Sequence, residues 1–223
     1  MIRQMRALFS ELYREITILV LIICPLLAIA VSVILTRSPE NVAAPLLLGL
    51  MLCLILSAQV LTDHFHFGGL LVPDAKQLEL FRSSRTGDDL YERMLTLDIC
   101  CRRISFATTF LAGAVVQLHR PLLLAMMALT LGAVYLTTNF ILRIIRRFDG
   151  PLVLIGSLYL GLSVVGFTTG LSYGLVSEAG ENRKGCVIAV IIALACTLSG
   201  VLMEEFTKRR CIKRWKEQYY DKT

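Results

Sequence analysis

The side chains best suited to chemistry in this sequence fall into small groups, and each group lacks something its chemistry needs. His64 and His66 flank Phe65 beside Asp63, an arrangement that could ligate a metal. A zinc site also needs a further fixed ligand, and none is evident in the surrounding loop, so interfacial histidines are the simpler reading. Gly170-Leu171-Ser172-Tyr173-Gly174 matches GxSxG. A serine nucleophile of that kind requires a strand-to-helix turn and a partner histidine, and neither is available. The seven cysteines include the adjacent pair Cys100 and Cys101, which are not spaced like metal ligands, and they imply no disulfide framework. No GxxxxGK[ST] loop occurs, so ATP cannot be bound here in the P-loop manner. No catalytic residue, metal or cofactor is assigned.

Glu204, Glu205 and Arg209 fit an EExxxR pattern used by intramembrane proteases, but those enzymes need histidines on later helices and only a basic tail follows. The polar groups that remain in apolar surroundings are hydroxyls and amides. Thr137, Thr138 and Asn139 form one set; Ser163, Thr168, Thr169, Ser172 and Tyr173 form another. They can bond neighbouring helices and their own backbone carbonyls, or Thr138, Asn139, Thr169, Ser172 and Tyr173 can line a substrate path. Gly166, Gly170 and Gly174 recur every four residues, giving one helix face without side chains and hence a close-packing seam, within the chain or between subunits.

These groups must be held by elements that the composition defines. Of 223 residues, 56% are hydrophobic, and the mean hydropathy is +0.68. That is too apolar for a domain covered by water. A bilayer core of about 30 Å needs about 20 apolar residues per helix. Blocks of that size run from Ile16 to Leu35, Ala43 to Leu61, Pro121 to Leu142, Pro151 to Leu175 and Cys186 to Met203. A shorter block, Ile104 to Gln117, reaches spanning length if its helix begins within Leu95 to Cys101 and Arg102 and Arg103 snorkel to the interface. The expected fold class is all-α: a polytopic membrane protein of six transmembrane helices. It forms a single domain, with an interfacial amphipathic helix over residues 1–15, a cytoplasmic helix-turn-helix loop over 62–103 and a basic cytoplasmic tail over 204–223. Asp88 or Asp89 is expected to cap the second helix of that loop.

Lysine and arginine set the orientation, because short loops rich in them stay in the cytoplasm. Of the 23 such residues, only Arg37, Arg120, Arg183 and Lys184 fall on one side. Both termini and the 62–103 loop are therefore expected to be cytoplasmic in a multi-pass protein of the cell membrane. The net charge of +6 reads as membrane orientation and attraction to the lipid bilayer rather than as a nucleic-acid surface. The apolar blocks hold no evident buried acid or base, which disfavours ion-coupled transporters and charge-selective channels.

In layout the chain resembles the type-2 ABC exporter permeases, the ABC-2 family. The segment that carries the likeness runs Leu78-Glu79-Leu80-Phe81-Arg82-Ser83-Ser84-Arg85-Thr86-Gly87-Asp88-Asp89-Leu90-Tyr91-Glu92-Arg93-Met94-Leu95. It is similar to the family's coupling segment, with Ser83, Ser84 and Arg85 where many members have a leucine-proline pair. The resemblance implies a permease subunit without enzyme activity of its own, paired as a homodimer or with a paralogous permease. It also implies a separate ABC ATPase subunit docking on Leu80, Phe81, Arg82, Ser83, Ser84, Arg85, Asp88 and Asp89. The alternative is a membrane sensor, scaffold or immunity protein that binds a partner through the same loop and transports nothing.

Overall fold

The computed structural model describes residues 11–37, 43–64, 67, 86–148, 150–178 and 183–220. Six helices follow one another: α1 (Glu11–Arg37), α2 (Ala43–Asp63), α3 (Gly87–Gln117), α4 (Pro121–Ile145), α5 (Pro151–Glu178) and α6 (Arg183–Tyr220). Among the described residues there is no strand. All six helices are long and apolar enough to cross a membrane, as fits a multi-pass membrane protein. α4 and α5 open on Pro121 and Pro151, where a first-turn residue needs no N–H partner. Pro25 lies inside α1, a position that membrane helices tolerate. The turn into α5 passes through Gly150 at φ 151°, a backbone state that favours glycine.

α4 is the central element and packs on α2, α3, α5 and α6, while α1 sits against α2 and α3. The core gathers Leu52, Ile55 and Leu56 of α2, Val134, Tyr135 and Ile141 of α4, and Val20 and Cys24 of α1. α5 and α6 instead show large apolar side chains outward, including Leu152, Tyr159, Phe167, Ile191, Leu198 and Leu202. In water such faces would drive aggregation; in hydrocarbon they cost nothing.

Several expected boundaries differ. Glu11 to Glu15 continue into α1 without a break, and residues 1–10 of the expected interfacial helix lie outside the described residues. α3 starts at Gly87 and runs to Gln117, so the second helix expected in the 62–103 loop and the third span are one continuous helix. Thr86 is its N-cap and makes no side-chain capping bond; neither Asp88 nor Asp89 is the cap. The expected tail from residue 204 is helical to Tyr220 as the continuation of α6.

Close approach within the chain falls on isolated glycines. A Cβ on Gly161 would strike Leu56 and Ile141, one on Gly200 would strike the Tyr135 ring, and one on Gly132 would press on the Ala193 carbonyl. By contrast, a Cβ on Gly166 or Gly170 would meet nothing. Gly174 lies in α5, with its surroundings outside the described residues. Gly200→Leu should therefore destabilise the solubilised monomer by about 1–3 kcal/mol through overpacking, whereas Gly166→Leu should leave it unchanged. Thermal unfolding in a monomer-dispersing detergent checks this; equal effects at the two positions would refute the assignment of the internal seam.

Candidate functional site

A layer of buried charge crosses one end of the bundle. Asp63 is the last residue of α2, Asp98 and Arg102 lie one turn apart on α3, Arg146 caps α4, and Glu204 is on α6. All five are buried. The reading of Arg102 as a snorkelling residue is corrected here; the five lie just beyond the apolar blocks read from the sequence. Charges on separate helices can pair once those helices are brought together.

Arg146 is the hub. Its Nε lies 3.1 Å from both Asp63 carboxylate oxygens, and its Nη2 bonds Asp63 Oδ1 and, at 2.8 Å, Asp98 Oδ2. Burial works against its charge, but the two carboxylates outweigh burial and hold it well above the ordinary arginine range. The guanidinium also stands over the Phe67 ring, 4.5 Å from its centroid. Asp98 additionally pairs with Arg102 and accepts a 2.6 Å hydrogen bond from the Tyr13 hydroxyl of α1. Glu204 accepts from Arg103 Nε at 2.8 Å and lies 3.7 Å from Arg102 Nε; Arg103 also reaches Glu205 at 3.3 Å. Arg103 is half-buried. Every charged member of the layer thus has at least one partner of opposite charge. Pairing of this kind offsets the cost of burying each charge.

Beyond this layer two helices continue and clasp each other. α6 has 38 residues and α3 has 31, about 57 Å and about 46 Å long at 1.5 Å per residue, well beyond the hydrocarbon thickness. Tyr91 of α3 stacks on Trp215 of α6 with centroids 4.3 Å apart and planes 10° from parallel. Trp215 Nε1 donates to Asp88 Oδ1 at 2.8 Å, and Lys208 meets Glu92 at 3.4 Å. Met94, Leu95, Phe67, Tyr13 and Cys211 complete a second apolar cluster around these rings.

Within the charged layer Arg102, Asn139, Arg146, Glu204 and Thr207 line a cavity of about 10 Å³. Arg102 Nε, Asn139 Nδ2, Glu204 Oε1 and Thr207 Oγ1 have no hydrogen-bond partner in the protein. Two are donors, one is an acceptor and the hydroxyl can be either. One water, donating two bonds and accepting two, matches that set and that size.

Of the residues singled out in the sequence, Asp88 takes part in the clasp and Asp89 is exposed beside it in the first turn of α3. Leu80, Phe81, Arg82, Ser83, Ser84 and Arg85 lie outside the described residues. The Thr138 and Thr169 hydroxyls are buried and donate to the carbonyls of Val134 and Val165, each at 2.8 Å, while Asn139 borders the polar cavity. Ser172 and Tyr173 are in α5, with side chains outside the description. Among the described residues no group of three His, Cys, Asp or Glu could hold a metal ion. Sequence reasoning missed Asp63, Asp98 and Arg146. The i, i+4 spacing of Asp98 and Arg102 was the available signal. In comparisons with known proteins, no family model matches this chain, and no curated protein or solved structure does either.

Asp63→Asn should cost about 3–5 kcal/mol, because it strands much of the Arg146 charge. Asp63→Asn combined with Arg146→Gln should cost clearly less than the sum of the two single changes. Thermal unfolding of all three variants in detergent measures this, and strict additivity would mean that the pair does not act as one unit.

Proposed function

We propose that this chain is the permease subunit of an ATP-driven exporter of the ABC-2 type, set in the cell membrane with both termini in the cytoplasm. A separate ATPase subunit would dock under residues 80–89, and two copies, or this chain and a paralogue, would pair in the membrane. The observation that carries the reading is the run of α3 from Gly87, directly after the expected docking turn, through to Gln117 without a break. A push at Asp88 or Asp89 would act on a single rigid rod. The Trp215–Asp88 bond and the Tyr91–Trp215 stack would carry it into α6, and Asp98 and Arg102 would carry it to α1, α2 and α4.

Charge reversal by Arg82→Glu and Arg85→Glu should lower ATPase copurification from the native host and transport-linked ATP hydrolysis at least about tenfold, the loss expected from replacing paired charges by repulsion, with membrane insertion unchanged. Unaltered association would remove that turn from the docking surface. Mass spectrometry of the same preparation separates the two function classes, since a clean preparation without a P-loop ATPase would refute the exporter.

One observation favours the second reading, a sensor or scaffold that moves no substrate. Among the described residues of one chain, the cavity of about 440 Å³ between α3, α4 and α6 is lined almost wholly by apolar side chains such as Phe106, Leu131 and Val190. A polar route would then have to form between subunits, along α5. Gly166 and Gly170 stand open on that helix. Gly170→Leu should convert the assembled form to monomer on native gels; an unchanged oligomer would place the subunit contact elsewhere.

A further inference from the structure

The arginines at the charged end do not simply coat the surface: several converge on a concavity of about 470 Å³ between the end of α4 and the extension of α6. Arg143, Arg147, Arg210 and Arg214 all line it, and none of the four pairs with a carboxylate among the described residues. The one acidic residue in the lining, Glu217, is 3.5 Å from Lys213.

Each guanidinium is held by contacts that, among the described residues, leave its charge uncancelled. Arg143 stands 4.9 Å and Arg210 5.3 Å from the Phe206 ring centroid, and Arg147 stands 5.0 Å from that of Phe148. Arg143 also touches Met203 Sδ at 3.1 Å. Arg214 Nη1 lies 3.4 Å from the carbonyl oxygens of both Arg146 and Arg147, which spans the cleft from α6 to α4. Ring faces and carbonyls therefore orient the forks in advance. What remains unmet is a compact group of negative oxygens, and guanidinium forks match phosphate oxygens in pairs.

We propose that this cleft is a binding site for a phosphate-bearing anion carrying at least two negative charges, supplied by the headgroup of a membrane phospholipid. The location argues for lipid. Arg143 lies 22 residues beyond Pro121 at the far end of α4, about 33 Å along the helix and hence where it leaves a bilayer core of about 30 Å. Phe140, one turn before Arg143, is exposed, as are Phe206 and, one turn before it on α6, Leu202. Acyl chains attached to a headgroup in the cleft would lie along these side chains. The site stands independently of the exporter reading.

The test uses the full chain in phosphatidylcholine nanodiscs doped with cardiolipin or, at equal total phosphate charge, with phosphatidylglycerol, and native mass spectrometry counts retained lipid. Soluble pyrophosphate forms a second arm, read by thermal shift. Arg147 and Arg214 are exposed, and their side chains take no part in the buried ion pairs. Wild type should retain cardiolipin over phosphatidylglycerol, and Arg147→Gln with Arg214→Gln should lower that retention about tenfold. Arg147→Lys with Arg214→Lys keeps the charge and the fold but removes the forks. A several-fold loss there supports a site; full retention by the lysine variant would reduce the effect to diffuse attraction and overturn the proposal. Pyrophosphate stabilisation without lipid selectivity, lost in the glutamine variant, would support the phosphate site and assign it to a soluble ligand. No difference between wild type and variants in either arm would overturn it.

Discussion

The fork of Arg146 between Asp63 and Asp98 is the constraint on which the arrangement of this bundle depends. Apolar helix faces rich in leucine and isoleucine pack well at many axial offsets, and in lipid there is little hydrophobic drive to choose among them. A buried guanidinium tolerates almost none. It must find carboxylate oxygens within hydrogen-bonding reach, and here they come from the end of α2 and from the first half of α3. Register follows for three helices at once. Tyr13 extends it to α1 through Asp98, and Glu204 extends it to α6 through Arg103. Buried ion pairs are weak sources of net stability, so their contribution here is to selecting one arrangement among near-equals.

The sequence made the number and rough limits of the spans legible, because hydropathy is a local property and each block carries its own signal. α3 was harder, since Asp98, Arg102 and Arg103 interrupt its apolar stretch, yet the expectation that its helix starts well before Ile104 was sound. The charged layer was not legible as a layer. Asp63 sits beside two histidines and reads as part of a metal constellation; Glu204 reads as part of a protease-like pattern; Arg146 reads as one more positive-inside residue. Their meaning lies in pairings 48 to 101 residues apart, which no window along the chain contains.

Glycine illustrates the same limit from another side. The regular spacing of Gly166, Gly170 and Gly174 advertises a seam, while the approaches found within the chain use Gly161 and Gly200 singly. Where two helices cross at an angle, close contact is brief, and one small residue per crossing suffices. A long glycine face is useful only where helices run nearly side by side. Gly166 and Gly170 of α5 have open space where a Cβ would stand, so among the described residues they form no seam within the chain.

The sharing of partners in the charged layer bears on movement as much as on stability. A buried charge with a single partner resists displacement, because separating the two leaves each in a poorly polarisable medium. In a network with shared partners the contacts can be exchanged. Asp98 is already held by Arg102, Arg146 and Tyr13, so loosening one contact leaves two in place. The layer can thus yield to a small rotation of α3 without exposing an unpaired ion. The aromatic clasp beyond it is built differently: stacked rings and one indole hydrogen bond join α3 directly to α6. The shared ionic contacts and the aromatic clasp are thus the two sets of polar and aromatic contacts that join α3 to α6 and, through Asp98, to α1 and α4.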